Sequence, residues 1–255
     1  MAYLRFDGTT LISAAEPPPC ALLAADSALM QSGHIRGYER HRDRFSRTVA
    51  EVFAEQGRPL PDLDAYFQAA GDALAEYGDG FPRFELCPVA DGPHLALRLR
   101  PAPRVTAAVS LRTAAADPRV TPARKGPNIA AMSTLGTALG AEPVILDPLG
   151  GVVEGGTTSL LWWRGDVLTA VENQQRVRSV AERLTLSVAD LLGIETALGT
   201  ATPEELLGRE TWAVNALHGI RPVDSFDGTP ALDANPPRLA LFREFFNRTW
   251  QPVSG

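Results

Sequence analysis

Two prolines within four residues, in Arg100-Pro-Ala-Pro-Arg104, interrupt an otherwise regular succession of apolar-periodic segments. Proline fixes φ and removes a backbone donor, so this stretch continues neither a helix nor a sheet ladder and reads as a stiff connector. A length of 255 residues suits one compact domain or two small ones. The change in composition at the connector favours two: a smaller N-terminal α/β domain over residues 1–102 and a larger one over residues 103–255.

Upstream of the connector, alternation over Tyr3–Phe6 and Leu11–Ser13 predicts a hairpin across Asp7-Gly8, and the EPPPC stretch that follows reads as loop. A strand near Ala21–Met30 turns at Ser32-Gly33. Between Tyr38 and Gln56 the residues Phe45, Val49, Val52 and Phe53 fall at helical spacing, as do Tyr66, Phe67, Ala70, Leu74 and Ala75 between Leu63 and Glu76. Strands at Arg83–Pro88 and Leu95–Leu99 are joined by Ala90-Asp91-Gly92, a hairpin signal. Downstream, strands are expected at Val105–Thr113, Val144–Leu146, Leu160–Trp163, Val167–Leu168 and Thr211–Ala216. Helices are expected near Ala130–Leu139, Val180–Leu192 and Pro237–Asn247, in a tail from Asp227 that is otherwise loop. The fold class is α/β (α+β), mixed.

The chain is 45% hydrophobic and 21% charged, with a formal net charge of −6. An acidic balance without a basic run argues against nucleic-acid and anionic-membrane partners, which select clustered Lys and Arg. No apolar stretch approaches the roughly 20 residues of a membrane span, and the N-terminus has no signal-peptide pattern, so the expected location is the cytoplasm. Two cysteines and four scattered histidines supply neither a disulfide framework nor a metal site.

Of the 24 basic residues one, Lys125, is a lysine. Compositional drift toward arginine would leave such a survivor, and so would a chemical need. Arginine stays protonated, whereas a lysine in a poorly solvated site loses its proton and attacks a carbonyl to form a Schiff base. Three further stretches bear on that choice. In Val144–Trp163 an Asp-Pro-Leu-Gly turn separates two strands, the second ending in Glu154 beside Gly155-Gly156. That carboxylate is either a solvated strand end or a ligand at the rim of a sheet. Ser179 leads into a helix, as an N-cap with Glu182 in capping-box position, as the start of an anion site, or as both. In His41-Arg-Asp-Arg44-Phe45, Arg44 is placed to reach inward while Phe45 packs. Val214–Val223, containing Asn215-Ala-Leu-His-Gly-Ile-Arg-Pro-Val, reads as a strand entering a tight glycine turn.

Lys125-x-x-Asn128, Leu-Asp-x-x-Gly-x-Val-x-Glu154-Gly, Ser179-Val180 and the Asn215–Val223 stretch occur in the order found in one family. From about Ala25 to Gly228 the chain resembles the class IV pyridoxal-phosphate aminotransferases, which include branched-chain and D-amino acid aminotransferases and aminodeoxychorismate lyases. The resemblance implies pyridoxal 5'-phosphate as cofactor, held in an interdomain cleft of a homodimer. It implies Lys125 as the Schiff-base lysine and proton carrier, and Glu154 as partner of the pyridine nitrogen. Arg44, Ser179 and the backbone N–H groups of Val180, Ala181, Ala216 and Leu217 are implied around the phosphate, and Arg83, Phe81 and Ser27 on the substrate side.

This sequence departs from the family pattern in several places. The Tyr-Gly-Asp-Gly segment before the third strand is missing, Ser159 replaces an asparagine, and Ala181 and Ala216 replace phosphate-contacting threonines. The expected activity is transfer of an amino group between an amino acid and a keto acid through Lys125. The alternative is a lyase that eliminates pyruvate to give 4-aminobenzoate. A non-catalytic binding module on the same fold is a third reading, against which Lys125 and Glu154 both speak.

Overall fold

The hairpin read at Asp7-Gly8 forms between β1 (Ala2–Phe6) and β2 (Leu11–Ser13) in a computed structural model that describes residues 1–18, 20–89 and 92–253. Gly8 takes φ 108°, and the Asp7 carboxylate accepts from the backbone of Thr9 and Thr10 at 2.9 Å, which closes the turn. The chain falls into two compact units. The first holds Met1–Arg104 with Arg124–Pro127 and the C-terminal strand, and the second holds Val105–Ala123 and Asn128–Thr249.

In the first unit, the strand read near Ala21–Met30 is two strands, β3 (Ala24–Ser27) and β4 (Met30–Gln31), the latter turning at Ser32-Gly33 into β5 (His34–Arg36). Helices α1 (Tyr38–Glu55) and α2 (Leu63–Tyr77) follow, then β6 (Arg83–Cys87) and β7 (His94–Leu99). Ala90 and Asp91 of the expected hairpin signal lie outside the described residues, while β6 and β7 pair antiparallel as that signal requires. The sheet order is β2-β1-β7-β6-β3, antiparallel throughout, with β3 at an edge.

Alternation along β6 sends Phe84 to one face, where it meets the rings of Tyr38, Phe45, Tyr66 and Phe67 from the two helices at 5.4–6.5 Å. Tyr66 has no exposed surface, and its hydroxyl donates to the Ala96 carbonyl at 2.7 Å, as a buried phenol must. The buried stripe of α1, Tyr38, His41, Phe45, Val49, Val52 and Phe53, contains one polar residue, His41. Its position on an apolar stripe obliges it to find a partner in the sheet.

The second unit runs β8 (Val109–Thr113), α3 (Ile129–Leu139), β9 (Glu142–Leu146), β10 (Val152–Gly155), β11 (Ser159–Arg164) and β12 (Val167–Val171). It continues through α4 (Val180–Leu191), β13 (Thr196–Gly199), α5 (Pro203–Leu207), β14 (Thr211–Asn215), β15 (Gly219–Phe226), β16 (Thr229–Pro230) and α6 (Pro236–Asn247). One mixed sheet in the order β10-β9-β8-β15-β14-β11-β12-β13, with β16 on β15, organises the unit.

Strand β11 is buried on both faces. Leu161 and Trp163 pack with α4 and α6, where Trp163, Trp212 and Phe242 form an edge-to-face trio at 4.9–5.6 Å, and Leu160 and Trp162 belong to a second core with Val223 and Phe226. Burying each such aromatic stabilises the fold by roughly 2–3 kcal/mol.

Three corrections concern elements. The tail is not loop to its end, because β17 (Trp250–Pro252) returns to the first unit and pairs antiparallel with β5. Strand β8 begins at Val109 rather than Val105. Helix α5 and strands β13, β15 and β16 are additions to the elements expected from sequence, of which the last strand is Thr211–Ala216. Helix α5 carries a capping box between Thr202 and Glu205 with Pro203 at its first turn, and β13 is a mostly exposed strand that exists through parallel pairing with β12.

Candidate active site

In the first unit Lys125 lies in a turn fastened to the edge of its sheet. The backbone N–H of Ala25, on edge strand β3, donates to the Lys125 carbonyl at 2.8 Å. Gly126 follows at φ 139°, so close to β3 that a Cβ there would stand 2.8 Å from the Ala24 Cα. Only glycine fits, on both counts. On the other side of the lysine, Arg124 Nη1 donates to Glu55 at the end of α1, at 3.0 Å. The sole lysine is thus clamped through its neighbours, with its own side chain half-buried.

His41 finds its partner in Asp26, on β3 one residue beyond Ala25. Its Nδ1 lies 2.7 Å from Asp26 Oδ1, and both side chains are buried. Arg44 reaches inward as its sequence position suggested, and the anion it meets there is the same carboxylate, with Nε and Nη2 each at 2.7 Å from an Asp26 oxygen. Burial opposes ionisation of Asp26, but Arg44 and then His41 outweigh it and hold the carboxyl below its ordinary range. Burial also pushes the His41 pKa down, more than Asp26 raises it, so the neutral ring donates from Nδ1. Arg83 Nε donates to Glu85 at 2.7 Å, Ser27 receives the Arg100 guanidinium at 3.2 Å, and Phe81 lies under that guanidinium at 5.1 Å.

In the second unit Glu154 is on β10, an edge strand, and is buried at 6% exposure, so the solvated strand end is excluded. Its carboxylate accepts from Arg119 Nη1 and, at 3.1 Å, from the backbone N–H of Val177. Arg119 is fixed in turn by Asp117, with Nε and Nη2 each at 2.8 Å from that carboxylate. Burial raises the Glu154 pKa to about 7 in spite of Arg119. Arg119 escaped the sequence reading, and the only signal for it is the Asp117-x-Arg119 spacing.

Ser179 caps α4, accepting from the Glu182 N–H at 3.2 Å. The capping box is not completed, because the Glu182 carboxylate turns to Arg176 at 2.6 and 2.9 Å. Val180 and Ala181 open the helix, where first-turn N–H groups have no partner within the helix. Ala216 and Leu217 occupy the loop of the β14–β15 hairpin, which ends on Gly219 at φ 71°. The Asn215 carboxamide accepts from the N–H groups of Leu217 at 3.1 Å and His218 at 2.7 Å, so the Leu217 N–H is already engaged. Asn128 is structural: it accepts from Val120 N and donates to the Thr121 carbonyl, ordering the segment before Lys125.

The donor set fits pyridoxal phosphate. A buried carboxyl poised near neutrality can share a proton with a pyridine nitrogen, a helix N-terminus suits a phosphate, and a clamped lysine suits an aldehyde.

The chain belongs to the class IV aminotransferase family: the family profile, amino-transferase class IV, matches residues 24–226. Its fold is that of solved transaminases. A branched-chain amino acid aminotransferase of T.th., complexed with N-(5'-phosphopyridoxyl)-L-glutamate, is 18% identical over 100% of this chain and 99% of that one, with a TM-score of 0.80. A PLP-bound hypothetical aminotransferase from Mycobacterium tuberculosis is 17% identical over 98% of both chains, with a TM-score of 0.79. A fold IV transaminase from Curtobacterium pusillum is 16% identical over 97% and 98%, with a TM-score of 0.78. No curated protein matches. No helix among the described residues is long and apolar enough to cross a membrane, and no group of three or more His, Cys, Asp or Glu among them could hold a metal ion.

Proposed function

We propose that this chain is a pyridoxal-phosphate aminotransferase whose amine-bearing residue is Lys125. The observation that carries the reading is the clamp on that lysine: the Ala25–Lys125 backbone bond and the contact of Gly126 with β3 fix the only lysine of the chain on a sheet edge. When bound, pyridoxal phosphate withdraws electrons from the substrate Cα and so acidifies its proton.

The residues divide the remaining work. Lys125 would hold the cofactor through its Nζ and, once displaced by the incoming amine, that same Nζ would be the base that takes the substrate Cα proton. Glu154 keeps a proton at the pyridine nitrogen, with Arg119 maintaining its charge. Arg44, oriented by Asp26, and the N–H groups of Val180, Ala181, Ala216 and Leu217 take the phosphate, with Ser179 fixing the start of α4. Leu217 must release Asn215 to do so. The resemblance assigns Ser27, Phe81 and Arg83 to the substrate side, and of these Arg83 is engaged by Glu85 and Ser27 by Arg100.

A homodimer in the cytoplasm completes the reading. Sedimentation of the purified protein tests the dimer: twice the chain mass is the expected result, and the mass of one chain would contradict it.

Elimination of pyruvate to give 4-aminobenzoate is the reading that the family match does not favour. The experiment is a half-reaction. Protein loaded with pyridoxal phosphate is mixed with single amino acids, and transamination yields one keto acid per site with the pyridoxamine form of the cofactor. A lyase turns over repeatedly on aminodeoxychorismate and leaves no pyridoxamine form.

A further inference from the structure

The five-stranded sheet has two unlike faces. The face with Phe84, Leu86 and Leu97 is apolar and lies under α1 and α2. The opposite face carries Ser27, Arg83 and Arg98 in register across β3, β6 and β7, with Ala25, Glu85 and Ala96 in the next row. Arg100, two residues beyond Arg98, extends the same side, and its carbonyl accepts from Phe81 N at 2.8 Å, continuing the ladder past β7.

Three arginines of this face stand against one wholly buried carboxylate. Glu85 accepts from Arg83 Nε at 2.7 Å and Arg98 Nε at 2.6 Å, and Arg98 reaches the exposed Glu16 as well. Arg100 has neither. Among the described residues no carboxylate lies within ion-pair distance of its guanidinium. Nε donates to the Phe81 carbonyl at 3.1 Å and Nη2 to Ser27 Oγ at 3.2 Å, two neutral acceptors. Burial pushes its pKa down to about 10, with Arg83 and Arg98 adding to the shift and the more distant Glu85 opposing it, so an anion in direct contact would relieve the cation. Those two bonds also fix the plane of the fork. They leave the Nη1 edge for a ligand, the geometry in which a guanidinium receives a carboxylate through paired N–H groups.

Ser27 is two residues from Ala25 on β3, so the two side chains share a face, and it is the Ala25 N–H that binds the Lys125 carbonyl. The uncompensated arginine is therefore tied through one strand to the segment that bears the lysine.

We propose that Arg100 is the specificity-determining residue that binds the substrate carboxylate, while Arg83 serves as the structural partner of Glu85. The assignment rests on the aminotransferase reading, because Lys125 is what makes this strand the reacting one. It predicts that acids are accepted and that amines lacking a carboxylate are not distinguished by Arg100.

The test compares wild type, Arg100→Gln and Arg100→Lys, each loaded with pyridoxal phosphate, by calorimetric titration with butyrate as a non-reacting carboxylate. Arg100→Gln is expected to weaken butyrate at least tenfold, and Arg100→Lys less. In turnover, the KM for a keto acid rises ten- to a hundredfold in Arg100→Gln with kcat changed less than threefold, while KM for butylamine is unmoved. Unchanged butyrate affinity in both variants overturns the proposal, as does an equal rise in KM for butylamine. If Arg100→Gln does not fold, Arg100→Lys alone decides on the same two readouts. Absence of cofactor binding in wild type sinks the aminotransferase reading instead, and butyrate titration of the cofactor-free chain then decides Arg100 separately.

Discussion

The backbone N–H of Ala25 donates to the carbonyl oxygen of Lys125 at 2.8 Å, and this bond places the only lysine of the chain on the edge of a sheet. An edge strand has N–H groups without a ladder partner, and here one of them is used to position a reactive residue.

The closeness of that approach makes Gly126 a sharp probe. A Cβ at this position would meet the Ala24 Cα at 2.8 Å, and φ of 139° is strained for any other residue. Gly126→Ala is expected to cost about 2–3 kcal/mol of stability and to lower cofactor affinity by displacing Lys125. Chemical denaturation and pyridoxal phosphate titration of the variant measure the two effects.

Asp26 is the common acceptor of His41 and Arg44. Asp26→Asn removes the charge that holds both and leaves a partly buried guanidinium uncompensated, at a cost of about 3 kcal/mol. Because the folded-state pKa of Asp26 lies below its ordinary value, its contribution to stability is present above the ordinary carboxylate range and is lost as pH falls through the folded value. Acid unfolding of wild type and variant is expected to converge at low pH. A constant difference down to the acid limit would contradict the assignment.

Glu154 has the opposite sign. A carboxyl raised from 4.5 to about 7 binds more protons folded than unfolded, so its contribution falls as pH rises between those values, by up to about 3 kcal/mol. His218, lowered to about 4 by burial and then by Arg221, works the other way over part of the same window. The difference between wild type and Glu154→Gln isolates the carboxyl. Melting temperatures of the two cofactor-free proteins are compared from pH 4.5 to 7.5, and the wild-type value minus that of the variant is expected to fall as pH rises.

Arg119 restrains that shift. Arg119→Met leaves Asp117 and Glu154 without their shared cation, is expected to destabilise the chain by about 3 kcal/mol, and moves the Glu154 midpoint further upward. The same pH series, run on Arg119→Met, reads the midpoint.

What the sequence made legible follows from what each residue advertises. Lys125 stood out because arginine replaced every other lysine, and Glu154 because a strand ended beside two glycines. Helices α1, α2, α4 and α6 were readable because their apolar stripes are local patterns. Strands β13 and β17 were not, because each depends on a partner far along the chain, Trp250 pairing with Arg36 although the whole second unit separates them in sequence. The same holds for charges. Arg44 was read as reaching an anion, but that the anion is Asp26 depends on α1 lying against β3. Arg100 is one of 23 arginines by composition, and only its neighbours Ser27 and Phe81, with no carboxylate among them, set it apart.

The central claim is that Lys125 carries the chemistry, and an absorbance spectrum tests it directly. Purified protein mixed with pyridoxal phosphate is compared with Lys125→Ala under the same conditions. The account predicts a visible imine band in the wild-type protein that the variant lacks. A band of equal strength in both, or in neither, would contradict it.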